Sequence, residues 1–232
     1  MTLSFIIPVF NEEKTLSKAI DDIINLSIKK EIIIIDNGST DNSINIIRNY
    51  QNITDIKIIL KSKNLGFGDS IQKGFNLATG QYIFIQYADL EYDHLTSISM
   101  LDLAIENDCD AIFGSRLKDK NNILKLLVNK PSYLATIVCT FLINIFYKKK
   151  FTDIIGTKLY KKNSIKKILP KTKGQGFDFE LVSLICKNQL KIEETYVDYV
   201  PRENSKEKKI KFYHMFNALY AIFKIKYFHK IK

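Results

Sequence analysis

The hydrophobic positions of this chain switch between two periods. Leu3–Val9 predicts a first strand, closed by Pro8 and the turn-forming Asn11. Over Glu12–Leu26 the apolar residues Leu16, Ala19, Ile20, Ile23 and Ile24 fall on one helical face. The β-branched run Glu31–Ile35 predicts a second strand, followed by DNGSTDNS at 36–43. There Asn37-Gly38 forces a tight turn, and Ser39, Thr40 or Asp41 can cap a helix reaching Tyr50. Asp55–Leu60 predicts a third strand, and NLGFGDS at 64–70 leads into a helix ending near Ala78, which Gly80 stops. Tyr82–Gln86 predicts the fourth strand, Leu95–Glu106 a helix and Asp110–Gly114 a fifth strand. Strand and helix alternate throughout, the pattern of an α/β fold with a doubly wound, mostly parallel sheet.

Beyond Lys118 the pattern changes. Pro131–Tyr147 is the longest uncharged run. It sits at the short end of the ~17–25 residues that span a bilayer, and Ser132, Thr136, Thr140 and Asn144 recur every fourth residue as a polar stripe. That pattern predicts an amphipathic helix lying in a groove or on a membrane, not a span. A strand at Thr157–Tyr160, a Gly-rich loop at 174–176, a helix from Phe177 to Lys187 and a strand at Lys191–Tyr199 follow. At 208–232 the chain is rich in Lys and aromatics. Phe212, Met215, Phe216, Leu219, Ile222, Phe223 and Tyr227 keep helical spacing there. No repeat, low-complexity tract or interdomain linker interrupts the 232 residues.

Composition narrows the function classes. A formal net charge of +10 fits a nucleic-acid or anionic-membrane partner, but the basic residues form no nucleic-acid reading motif. Cys109, Cys139 and Cys186 are far apart and odd in number, which fits reduced thiols in a cytoplasmic protein better than disulfides or zinc. His94, His214 and His229 lack metal-ligand spacing. The N-terminal apolar run is too short for a signal peptide and has no basic segment before it.

The candidate chemistry lies at predicted strand ends. Glu12 follows the first strand, Asp36 the second, and Asp89, Glu91 and Asp93 the fourth. In a parallel sheet these ends share one edge, where open α/β folds bind ligands. Hard carboxylate oxygens suit Mg²⁺ or Mn²⁺, and such a metal suits a diphosphate. GxGxxG and GxxxxGK[ST] are both absent, which disfavours dinucleotide and P-loop chemistry. Phosphate charge then falls to a metal and to cations such as Arg116 and Arg202.

IIPVFNEE at 6–13, IIIIDNGSTDNS at 32–43, NLGFGDSIQKGFNLATGQYIFIQYADLEYD at 64–93 and FGSR at 113–116 resemble family 2 glycosyltransferases of the Rossmann-like GT-A fold. TDIIGTKLYKK at 152–162, GFDFEL at 176–181 and the segment from Pro201 to Ile210 resemble the dolichyl-phosphate mannosyltransferase-like branch. The resemblance implies a GT-A domain over 1–207, with a nucleotide-sugar-binding half at 1–116, an acceptor-side half at 117–207 and a basic amphipathic helix at 208–232. It implies that Pro8, Phe10, Glu12, Ile34, Asp36, Ala88, Asp89, Arg116, Arg202 and Lys208 meet the nucleotide sugar. Asp89 and Glu91 would hold the divalent metal, and Lys130, Ser132 and Lys158 would face the acceptor. Asp89, Asp153 and Arg116 would be catalytic. The family's first metal-motif Asp is replaced by Tyr87, a poor Mg²⁺ ligand, so the metal cage is thinner.

The expected reaction is inverting, metal-assisted transfer from a nucleotide-diphosphate sugar to polyprenyl phosphate or a related lipid-linked acceptor. A saccharide hydroxyl in surface polysaccharide synthesis is the alternative acceptor, and it needs a base, for which Asp153 and Asp178 are candidates. A non-catalytic nucleotide-sugar binding protein is the alternative from another class. The basic, aromatic C-terminus fits peripheral attachment to the cytoplasmic face of an anionic membrane.

Overall fold

The computed structural model describes residues 2–117, 132–174, 176–202 and 214–229. Its elements in chain order are β1 (Leu3–Val9), α1 (Leu16–Ile24), β2 (Lys30–Asp36), α2 (Ser43–Arg48), β3 (Ile56–Leu60), α3 (Phe67–Leu77), β4 (Tyr82–Ile85), α4 (Thr96–Glu106) and β5 (Ala111–Ser115). Then come α5 (Ser132–Tyr147), β6 (Lys158–Lys161), α6 (Lys162–Lys166), α7 (Phe177–Lys187), β7 (Ile192–Tyr196) and α8 (His214–Phe228). The seven strands form one sheet in the order β3-β2-β1-β4-β6-β5-β7. Every pairing is parallel except the two made by β6, which runs antiparallel between β4 and β5. The sheet therefore draws strands from both sides of the chain's midpoint.

The strands read as unbroken apolar runs because both faces are covered. Phe5, Ile7, Ile32 and Ile34 pack on one face with Leu16, Ile20 and Ile23 of α1 and Met100 of α4. Their neighbours Ile6, Ile33 and Ile35 point the other way, onto Ile71 and Phe75 of α3 and into the layer that includes Phe177 and Leu181 of α7. Register is thereby fixed, since a slip of one residue would exchange the two cores.

The predicted elements are found, some with trimmed ends and some, such as β2 and β6, reaching a residue further. The first helix starts at Leu16 because the chain at 10–15 is engaged elsewhere, and β7 ends at Tyr196, with Tyr199 making only an isolated bridge to Tyr92. α5 turns its polar stripe inward. Thr136 and Thr140 are buried, the Ile154 N–H donates to Thr140 Oγ1 (3.4 Å), and Asn144 exchanges hydrogen bonds with the Phe151 backbone (2.8 and 2.9 Å). Its apolar residues Leu134, Phe141 and Ile145 are left facing out. No described helix is long and apolar enough to cross a membrane.

At the opposite edge from the strand carboxyl ends, Glu31 knots four segments together. Its carboxylate accepts from Ser4 Oγ (2.5 Å), the Thr79 N–H (2.5 Å), the Gly80 N–H (3.0 Å) and Lys57 Nζ (2.7 Å), and the residue is 5% exposed. Burial alone would push its pKa up, but Lys57, Ser4 and the two backbone donors outweigh it and hold the carboxyl down at about 2. A depressed carboxylate adds stability that is complete above its unfolded pKa and is lost as pH falls through the folded one. Glu31→Gln should cost ~1–3 kcal/mol in urea unfolding at neutral pH. The part of the wild-type acid destabilisation between the ordinary Glu pKa and about 2 that Glu31 supplies should be missing from the variant. An unchanged acid-unfolding profile would refute the assignment.

Candidate active site

The loops leaving β1 and β2 are zipped to each other. Asn11, at φ 55°, is in the left-handed region that Asn tolerates, and its N–H donates to Ser39 Oγ (3.0 Å) while its Oδ1 accepts from the Thr40 N–H (2.8 Å). The Glu12 N–H donates to Ser43 Oγ (2.9 Å) and the Glu13 N–H to Asp41 Oδ2 (3.0 Å). Asp36 is fully buried and shapes its own turn, accepting from the Gly38 N–H (2.9 Å) and the Ser39 N–H (3.0 Å) at Oδ2. Gly38 sits at φ 77°, and a Cβ there would lie 2.6 Å from the Lys63 carbonyl carbon, so only glycine fits. Asn37 reaches the next loop, accepting from Lys61 Nζ (3.0 Å) and the Leu65 N–H (3.1 Å). These links set Glu12 beside the end of β2. Pro8, near the end of β1, and Phe10, just after it, are half-buried, while Ile34 has its side chain in the core beneath Asp36.

After β4 the chain runs through Tyr87, Ala88 and Asp89 to Leu90, whose φ of 58° folds the loop back. That turn brings the Glu91 N–H to Asp89 Oδ1 (3.2 Å) and leaves Asp89 half-buried. Arg202 closes the site from the far end of the chain. Its Nη2 donates to Glu12 Oε2 (2.5 Å), its Nε to the Asp89 carbonyl (3.3 Å) and its backbone N–H to Glu91 Oε1 (3.0 Å). Tyr199 donates to Glu91 Oε2 (2.7 Å). Arg202 thus ties the Glu12 carboxylate, the Asp89 backbone and the Glu91 carboxylate together, the first two through its guanidinium and the third through its main chain. Burial, then the charge of Glu91, pushes the Asp89 carboxyl up to about 6.

The other predicted residues lie along the same edge. Arg116, just after β5, forms a two-point ion pair with the fully buried Asp153 (Nε to Oδ2 2.6 Å, Nη2 to Oδ1 3.0 Å) and lies 5.4 Å from the Tyr199 ring centroid. The Ile155 N–H also donates to Asp153 Oδ1 (2.9 Å). Burial raises the Asp153 pKa, but Arg116 more than offsets it and holds the carboxyl below the usual range. Lys158 is buried at the start of β6, with Nζ donating to the Gly156 carbonyl (3.1 Å) and lying 3.6 Å from Asp178 at the head of α7. Ser132 opens α5, and Lys130 and Lys208 lie outside the described residues.

Tyr87 is absorbed into a row of rings. It stacks on Phe67 (6.0 Å, 9°) and meets Tyr92 (6.0 Å), which meets Tyr199 (5.2 Å), and Phe67 meets Phe177 edge-on. Burial raises its phenol well above the ordinary value, so it presents a neutral ring where a metal-binding carboxylate is expected. Among the described residues no group of three or more His, Cys, Asp or Glu side chains is arranged to hold a metal ion. Two nearby carboxylates under one compensating Arg still fit Mg²⁺ or Mn²⁺, which commonly takes one or two carboxylates and completes its shell with phosphate oxygens and water.

Tyr199 and Glu194 are functional neighbours that the sequence reading passed over. Glu194 accepts from the Thr152 and Asp153 N–H groups (both 2.9 Å) and so fixes the loop that carries Asp153. Neither stands out locally, since each lies in an ordinary strand or its extension.

Comparison with known proteins places the family and the fold. The chain is 29% identical over 203 residues to an uncharacterized Methanocaldococcus jannaschii protein, covering 83% of this chain and 85% of that one. It is 28% identical over 227 residues to the dolichyl-phosphate beta-glucosyltransferase of Dictyostelium discoideum, covering 88% and 68%. In fold it resembles Mycobacterium tuberculosis glucosyl-3-phosphoglycerate synthase, solved with Mn²⁺, uridine diphosphate and phosphoglyceric acid. The TM-score is 0.72 at 15% identity, covering 99% of this chain and 80% of that one. Residues 4–169 match the sequence family described as glycosyl transferase family 2, and the chain belongs to that family as a glycosyltransferase of GT-A fold.

Proposed function

We propose that this glycosyltransferase moves a sugar from a uridine diphosphate donor to a polyprenyl phosphate or related lipid-linked acceptor, with inversion and with help from Mg²⁺ or Mn²⁺. The observation that carries the reading is the convergence of Glu12, Asp89, Glu91 and Arg202, drawn from three separate loops onto one edge beside Asp36. The Dictyostelium relative supports the lipid phosphate, and the mycobacterial neighbour supports uridine diphosphate and the metal.

In this reading Asp36 and the zipped loops seat the nucleoside, with Pro8, Phe10, Ala88 and Glu12 around it. Asp89 and Glu91 would hold the metal, whose chemistry when bound is to offset charge on the diphosphate. Arg202 turns from Glu12 to the phosphates, and Arg116, held rigidly by Asp153, supplies a second planar cation; Lys208 adds a third charge. An acceptor phosphate oxygen, already anionic, forms the new bond to the anomeric carbon from the face opposite the nucleotide. The bond to the diphosphate oxygen breaks with its electron pair on the leaving group, which inverts the centre. On the family resemblance, Lys130, Ser132 and Lys158 would face the acceptor. A saccharide hydroxyl would need a base, and Asp153 has both carboxylate oxygens on Arg116, which supports the phosphate acceptor.

The purified protein with a UDP-sugar, Mn²⁺ and polyprenyl phosphate should yield a lipid-linked sugar. Transfer to free saccharides alone, or binding without turnover, would overturn the reading. Asp89→Asn should lower turnover by roughly 100-fold or more while donor binding survives in part; retained turnover would remove Asp89 from the machinery. Asp153→Asn should cost ~3–5 kcal/mol of stability by leaving Arg116 unpaired, and thermal unfolding of the variant checks it.

A further inference from the structure

We propose that the outward faces of α5 and α8 form a docking surface for an anionic lipid bilayer. On α5 the residues Leu134 (60% exposed), Val138 (38%), Phe141 (61%) and Ile145 (56%) are spaced by four, three and four. On α8 the residues Phe216 (62%), Tyr220 (69%), Phe223 (41%) and Tyr227 (63%) repeat the same spacing. Each set is one continuous exposed helical stripe, on the side away from the buried Thr136, Cys139, Thr140 and Ile143 of α5 and the buried Ala218, Ala221, Ile222 and Ile225 of α8. A helix that fills its core contact with one face and carries a second apolar stripe on the opposite face is patterned for an apolar surrounding on that side too.

The two stripes belong to one surface. Phe146 packs on Phe223 (5.3 Å) and Tyr227 (6.0 Å), and Lys226 Nζ donates to the Phe146 carbonyl (2.6 Å). Lys187 of α7 caps the end of α8, donating to the carbonyls of Ile225 (2.6 Å) and Lys226 (3.1 Å). The start of α8 lies against the start of α7, where an added Cβ at Gly176 would sit 3.5 Å from the Asn217 carbonyl. α7 itself begins beside Lys158 on the catalytic edge.

Charge selects the occupant. Neither α5 nor α8 contains an acidic residue. Lys148 and Lys150 at the end of α5 and Lys224 beside Tyr220 are exposed. A second copy would bring these lysines together in a chain already at +10. An anionic headgroup layer complements them, and Tyr and Phe rings suit the zone between headgroups and acyl chains. The inference stands on this surface alone, whichever acceptor the site takes.

Co-sedimentation with vesicles tests it, comparing phosphatidylcholine alone with an equal mixture of phosphatidylcholine and phosphatidylglycerol at low salt. The wild-type protein should bind the mixed vesicles and release on raising the salt. The variant F141S/F216S/Y220S should bind them about tenfold more weakly or less, and so should K148E/K150E/K224E, with uridine diphosphate binding and the circular dichroism spectrum unchanged in both. Failure of the wild type to bind, or equal binding by the variants, would overturn the proposal. So would a dimer by light scattering that the serine variant dissolves, because the stripes would then face a second copy.

Discussion

Carboxylates gathered at one sheet edge repel one another, and a low-dielectric setting sharpens that repulsion. Here the Arg202 guanidinium donates to Glu12, while the Arg202 backbone N–H and the Tyr199 hydroxyl donate to Glu91. This local excess of negative charge governs much of what surrounds it. It adds to burial, the larger cause, in raising the Asp89 pKa, and its sign suits a divalent cation with a diphosphate. It also requires a chain path in which residues 199–202 return across the ends of strands made far earlier.

Around that edge the fold divides its charges by task. Glu31 and Asp153 are buried, saturated with donors and held in their ionised forms, so they act as fixed points of the scaffold. Asp89 is the opposite case, with the Glu91 N–H as the one donor described on its side chain. Arg116 and Arg202 differ likewise. The first is locked by a two-point pair, while the second rests on a partner that a substrate's phosphates can replace. A rigid cation and an exchangeable one on the same edge suit a site that must both hold a diphosphate and release it.

The sequence announces the parallel part of the sheet because a strand covered on both faces is an unbroken run of Ile, Val and Phe, and the turn residues between runs are specific. It also marks Glu12, Asp36, Asp89 and Glu91, since a strand's end carries chemistry in this class of fold. The direction of β6 was not legible, because Lys-Leu-Tyr-Lys pairs equally well either way in isolation. The stripe on α5 was visible as a period, but a period does not say which side meets the core; Phe151 and Ile154, later in the chain, decide that. Tyr199, Glu194 and Glu31 owe their roles to partners far away in sequence, Glu91 at a separation of 108 residues among them. No local pattern encodes such a pairing.

The antiparallel strand has a consequence for how the molecule is made. β4 and β5 are consecutive strands, yet they never touch, because β6 lies between them. During synthesis the first four strands can assemble as the ribosome delivers them, while β5 emerges with neither of its final neighbours, β6 and β7, yet available. The growing chain must hold that strand's place open until Lys158–Lys161 arrives to fill it. β6 thus enters the sheet between two strands made before it, and β7 then completes the edge beside β5.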